Sequence, residues 1–290
     1  MIGTVNNYHK LPSSLSRPGR FDLVIELESP TEEEATKIVE HYMASKKVGE
    51  DVNLDDVAKM INYNSCAELE SIVNNAAINA AYEREKSIGM KHILSAVLRE
   101  QYHSSDDFEG AQDETERRKV ALHEAGHLVV AESLVPGCVG LASVRVSAPG
   151  GFIHLCKQLT RRPYHILVAL ASKAAVELSY CDTVANGCEE DIRRAYNMIR
   201  EGISTTASLG FGMVDVSTRR YPESSERFTS ENEAVTVAEL EKYYRKAKEI
   251  LLKNKDFLEK ATEALLEKDT LLWSDIQKIR ESVTVTPVAV

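Results

Sequence analysis

No stretch of the 290 residues approaches the roughly 18 consecutive apolar residues that a membrane span needs, and the start lacks the basic-then-apolar pattern of a signal peptide. A soluble, cytoplasmic chain is expected. Cysteine is scarce: Cys66, Cys138, Cys156, Cys181 and Cys188 are odd in number and form no Cys-x-x-Cys pair. That excludes a disulfide framework and a zinc ribbon, and leaves free thiols in a reducing compartment. Positive charge is in deficit, with 35 Lys and Arg against 45 Asp and Glu for a net −10. With no long basic run to track a phosphate backbone, nucleic acid is not an expected partner. The chain also lacks a Gly-x-x-x-x-Gly-Lys-[Ser/Thr] loop, an acidic Walker B strand, internal repeats and low-complexity tracts. Without that loop's N–H groups and lysine, nothing here cradles ATP phosphates.

What is present is a mainly α-helical chain, with 43% hydrophobic and 28% charged residues, apolar enough for packed cores. Residues 1–29 combine a Ser/Pro/Gly-rich stretch with Phe21 to Leu27, whose alternation predicts a strand. A lone strand is unstable, so its partners must come from elsewhere. From Pro30 the pattern is helical, with Pro and acidic residues in a first turn. Further helices are expected at Leu54 to Ile61, Cys66 to Glu85 and His92 to Glu100, forming a small bundle over 30–105. Residues 1–110 carry 11 Lys and Arg against 19 Asp and Glu, most of the net acidity. Ser104 to Asp113 reads as a linker into a third segment, 106–290. This begins with a helix from Glu114 to Leu134 that stops at Pro136-Gly137. A few short strands between Val139 and Leu159 and helices at Pro163 to Ser179, Glu189 to Leu209 and Ser230 to Lys268 complete it.

The first helix of that segment contains His123-Glu124-Ala125-Gly126-His127 in an apolar setting. Residues i and i+4 share a helix face with Cβ atoms about 5–6 Å apart, so both histidines can reach one zinc ion. Glu124 then stands beside the metal, where a carboxylate serves as general base toward a metal-activated water. The bland alternative buries two histidines and a glutamate on one apolar helix, at a cost in desolvation. A catalytic zinc site needs a third protein ligand and an open position. A metzincin extension is absent, because Val130 and Ser133 occupy its positions. The spacing leaves His154, His165, Glu177, Asp182, Glu189, Glu190 and Asp191 all open as third ligands.

The segment Gly187-Cys188-Glu189-Glu190-Asp191-Ile192-Arg193-Arg194-Ala195 resembles the Gly-x-x-x-Asp-Ile-x-x-Ala segment of the FtsH family of ATP-dependent zinc metalloproteases. Upstream, Leu15 to Asp22 is similar to the second region of homology of AAA+ ATPases, and Ala67 to Ala77 to their helical lid. Downstream, Tyr244 to Leu251 and Ala264 to Leu271 resemble the family's C-terminal helices. The resemblance implies Asp191 as third zinc ligand, Glu124 as catalytic base, and Arg17 and Arg20 as arginine fingers acting on nucleotide held by a neighbouring subunit. It implies unfolded or tagged proteins as substrates, a hexameric ring, and ATP with Mg2+ only in a ring that supplies a Walker A segment. It also implies a division into an ATPase-core remnant (1–29), an AAA+ lid (30–105) and a zinc metalloprotease domain (106–290).

Two departures qualify these expectations. Val176 replaces one of two glutamates that the family usually carries, and the flanks of Gly150-Gly151-Phe152-Ile153-His154, which resembles the substrate-binding strand, are unusual. The missing phosphate loop and transmembrane segment suggest a fragment or natural truncation. A full-length form with an anchor would then sit at the cytoplasmic face of a membrane. The alternatives are a non-catalytic ring subunit or adaptor, and a metallopeptidase that works without ATP.

Overall fold

The computed structural model describes residues 2–15, 17, 19–104, 113–145, 151–180, 187–206 and 226–288. Cys181, Asp182, the Pro149-Gly150 turn and most of the expected linker lie outside them.

Helix formation follows local capping. In α1 (Glu32–Met43) the Thr31 side chain accepts the Glu34 N–H while Glu34 accepts the Thr31 N–H at 2.9 Å. Ser65 and Glu68 form the same reciprocal box at the start of α3 (Cys66–Tyr82), with the Ser65 N–H 2.7 Å from Glu68. Each box satisfies two backbone donors that a helix start leaves orphaned. Asn53 caps α2 (Leu54–Ile61), and α4 runs over Met90–Tyr102. One apolar cluster unites these four helices around Val39, Met60, Ile61, Leu69, Ile72 and Ile93.

The second cluster is built on α5 (Glu114–Leu134) and α6 (Arg162–Tyr180). Gly126 allows their close approach: a Cβ there would lie 2.7 Å from the Ala171 carbonyl oxygen and 2.8 Å from Ala175 Cβ. Around this pair pack α7 (Glu189–Thr206), α8 (Glu226–Lys253), α9 (Lys255–Lys268) and α10 (Trp273–Glu281). Three short strands, β1 (Val139–Ser143), β2 (Phe152–Leu155) and β3 (Thr270–Leu272), form an antiparallel sheet in the order β2-β1-β3. The central β1 is wholly buried, whereas β2 is a half-buried edge. Leu141, Phe152 and Leu272 from this sheet pack onto the first cluster, so the two clusters meet across it.

The mainly helical fold expected from sequence is therefore present, with differences in detail. Phe21 to Leu27 pairs in no ladder; Leu23 is 77% and Leu27 90% exposed. An alternating apolar run becomes a strand only when it pairs with an edge, and among the described residues nothing pairs with it. The helical spacing expected over Ser230 to Lys268 is divided between two helices, α8 and α9, at Asn254. There the side chain donates to the Ile250 carbonyl (2.9 Å) and accepts the Thr286 N–H (2.7 Å), anchoring the C-terminal segment at the junction. Asp269, at φ 55°, ends α9 and turns the chain into β3. Neither β3 nor α10 was expected, since three residues carry no legible strand period.

Candidate metal centre

α5 presents His123, Glu124 and His127 to a cleft of about 510 Å³. The close α5–α6 packing that Gly126 permits places His127 Nδ1 where it donates to the Val168 carbonyl on α6, at 2.7 Å. That bond fixes the ring and turns Nε2 toward the cleft. Asp191, in the first turn of α7, reaches across with Oδ2 at 3.1 Å from His123 Nε2 and 3.2 Å from His127 Nε2. The two Nε2 atoms lie 3.2 Å apart. Ser172 on α6 donates to the same Asp191 oxygen at 3.0 Å.

These three separations test whether a metal fits. Ligand atoms at 2.0–2.1 Å from a tetrahedral zinc stand about 3.3 Å from one another. The observed triangle is of that size, and the donor set of two imidazoles and one carboxylate suits zinc. Among the described residues it is the one group of three potential ligands placed within 4.8 Å of one another.

The charges are mutually adjusted. Burial opposes the His123 cation, yet the bond to Asp191, the Cys188 contact and the nearby Glu124 raise its pKa to about 10. Burial would raise the Asp191 carboxyl, but the two histidines hold it well below the usual carboxylate range. Glu124 differs: only 2% of it is exposed, and burial pushes its carboxyl up, partly offset by His123 and His127. The Gly151 N–H donates to it, and its Oε2 has no hydrogen-bond partner in the structure. A carboxylate with raised basicity and a free oxygen, beside a cluster of potential metal ligands, is suited to moving a proton.

The other expected ligands lie elsewhere. His154 bonds Tyr102 and Asn62, away from the triangle. His165 stands at the cleft wall with Nε2 2.7 Å from the Leu159 carbonyl. Glu177 is held by Tyr244, Lys248 and Lys173. Glu189 is exposed, and Glu190 pairs with Arg193 at the cleft rim. Val176 lines the cleft. Arg17 and Arg20 are exposed in an N-terminal loop, where Arg20 Nη1 donates to the Ser14 carbonyl (2.6 Å); neither comes to the cleft. Sequence reasoning missed Val168, whose contribution is a backbone carbonyl, as well as Ser172 and the role of Cys188. The Cys188 sulfur lies 3.6 Å from His123 Nδ1, where the ring needs an outer partner. Only the tertiary arrangement brings these groups to the site.

A profile for the AAA+ lid domain matches residues 51–95, covering α2 and α3 and the start of α4. The chain thus carries a lid segment of the AAA+ class. It is, moreover, homologous over nearly its whole length to ATP-dependent zinc metalloproteases named FtsH. It is 30% identical to that of Thermus thermophilus, over 98% of this chain and 48% of the relative. The FtsH of Caldicellulosiruptor bescii is 28% identical over 96% of this chain and 48% of its own length. FtsH 3 of Symbiobacterium thermophilum is 29% identical over 98% and 48%. The chain spans about half the length of the curated relatives it matches. No helix among the described residues is long and apolar enough to cross a membrane.

Proposed function

We propose that this chain is a zinc-dependent endopeptidase in which His123, His127 and Asp191 hold the metal and Glu124 is the catalytic base. The observation that carries the reading is the triangle of His123 Nε2, His127 Nε2 and Asp191 Oδ2, with the base one residue from the first ligand. A zinc ion held there supplies Lewis acidity toward a water and the scissile carbonyl. Glu124 takes the proton of the attacking water and returns it to the departing amine, so the carboxylate ends each cycle as it began. The Gly151 N–H orients that carboxylate, and Val168 and Ser172 hold two of the ligands in place. An extended peptide adds to the free edge of β2 through main-chain hydrogen bonds.

The lid match, together with the separate apolar clusters, supports a division into ATPase-core remnant (1–29), lid (30–105) and peptidase domain (106–290). The names of the relatives support ATP-dependent zinc proteolysis as the setting of the whole protein, and the family resemblance extends it to unfolded proteins as substrates of a ring. Arg17 and Arg20 would face a neighbour's nucleotide there.

The test is elemental analysis of the purified chain with casein cleavage by wild type and Glu124→Gln. One zinc per chain in both proteins, with turnover in the wild type only, is expected. Appreciable turnover by the variant removes Glu124 as the base, and wild type that binds no zinc removes the metal site.

A further inference from the structure

The edge strand β2 borders the cleft on one side and the lid bundle on the other. Gly151, Phe152, Ile153 and Leu155 line the cleft, and Phe152 and His154 also touch the bundle. The Phe152 ring stacks on Tyr102, the last residue of α4, with centroids 3.5 Å apart and planes 13° from parallel. His154 lies between the two units. Its Nδ1 is 3.1 Å from Tyr102 Oη, and its Nε2 is 2.9 Å from Asn62 Oδ1. Asn62, 1% exposed at the end of α2, donates its Nδ2 to the Cys156 carbonyl at 2.7 Å, just beyond β2.

Donor and acceptor roles in this chain have one self-consistent assignment. Asn62 spends its N–H on Cys156, so its oxygen accepts from His154 Nε2–H. Nδ1 is then left as an acceptor, and the Tyr102 O–H donates to it. Every group is satisfied only with a neutral imidazole. Burial agrees, lowering the His154 pKa to about 4. The chain therefore grips β2 at residues 154 and 156 from two lid helices.

What it grips bears on the chemistry. Among the described residues β2 is paired only with β1, over four residues, with a register shift near Val139. So short an edge has little stiffness of its own. Yet Gly151, immediately before it, donates to Glu124 and approaches so closely that no Cβ fits. We propose that Tyr102, His154 and Asn62 are positioning residues that hold β2, and through Gly151 the base Glu124, in register with the metal ligands. Lid and cleft are thereby mechanically joined. The inference rests on the endopeptidase reading for its catalytic consequence and not for the clamping itself.

Tyr102→Phe keeps the stack and removes one hydrogen bond; Asn62→Ala removes the other end. Two readouts are taken on wild type, both single variants and the double variant. The first is hydrogen-exchange protection of residues 151–155, and the second is kcat and KM on an internally quenched peptide with zinc loaded. Each single variant is expected to lose protection of β2 and to lower kcat about five- to tenfold. Zinc content and melting of the remainder should be unchanged, and the double variant no worse than the poorer single one, because one chain is broken either way. Unchanged protection overturns the proposal, as does reduced protection with unaltered kcat, or additive losses. Should zinc-loaded wild type cleave nothing, the endopeptidase reading falls; loss of protection in Tyr102→Phe would still support the clamp, and its retention would sink it. If Asn62→Ala fails to fold, Tyr102→Phe with His154→Gln supplies the same comparison.

Discussion

The Gly151 N–H donates to Glu124, and the two residues are packed so closely that a Cβ at position 151 would overlap Cγ of the glutamate and lie 2.6 Å from the Ser143 carbonyl oxygen. Gly151→Ala must therefore push either the base or the strand aside. A displacement of about 1 Å at a reacting group costs up to about 100-fold in rate. Peptide cleavage by Gly151→Ala is expected to fall about 10- to 100-fold with zinc stoichiometry intact; wild-type kcat in this variant would show that Gly151 does not set the base.

Asp191→Ala removes the carboxylate shared by two imidazoles and leaves a two-ligand site. Zinc affinity should drop well over about tenfold, with activity lost in parallel. Glu189→Ala and Glu190→Ala should retain the metal, since neither carboxylate takes part in the triangle. Competition titration with a chromophoric chelator measures all three, and metal loss from Glu190→Ala would reassign the third ligand.

A depressed histidine pKa makes stability depend on pH with a fixed sign. His154 titrates near 6.5 when unfolded and at about 4 in the fold. Between those values the unfolded chain holds a proton that the folded one refuses. The neutral-histidine contribution is complete above the upper value and is lost progressively as pH falls toward the lower one. Thermal midpoints taken across this window should fall more steeply for wild type than for His154→Gln; parallel curves would mean that His154 is not held neutral.

Asp56, 2% exposed on α2, accepts the Ser274 N–H at 2.8 Å and the Ser274 hydroxyl at 2.7 Å, tying the bundle to α10. Asp56→Ala orphans two donors, so urea unfolding should show a loss of about 2–3 kcal/mol. Asp56→Asn, which retains an acceptor, should lose less. A neutral alanine substitution would show that water replaces the carboxylate freely.

Phosphate release from ATP by the purified 290-residue chain should stay at background, because arginine fingers act on a phosphate that another element has positioned. Turnover abolished by Arg17→Ala or Arg20→Ala would reveal a nucleotide site that the sequence does not disclose.

The sequence by itself determined the helices and half of the candidate metal centre. Capping pairs such as Thr31 with Glu34 and Ser65 with Glu68 act within one turn. His123 and His127 share a face because a helix repeats every 3.6 residues. Those are local relationships, and local periodicity records them. The spacing alone left seven candidates for the third ligand, and only the family resemblance singled out Asp191. Its approach to the histidines depends on α7 folding back against α6 and α8, across 64 residues of chain from His127, a distance that no period encodes. The same holds for Phe21 to Leu27, whose alternation is real but finds no edge, and for β3, whose three residues are a strand only because β1 offers them a partner. Tertiary structure likewise decided which histidines are placed to hold a metal. His154 and His165 have the same chemistry as His127, but packing commits their nitrogens to Tyr102, Asn62 and the Leu159 carbonyl. In His127 a single bond to Val168, made possible by the missing side chain of Gly126, leaves Nε2 directed at the cleft.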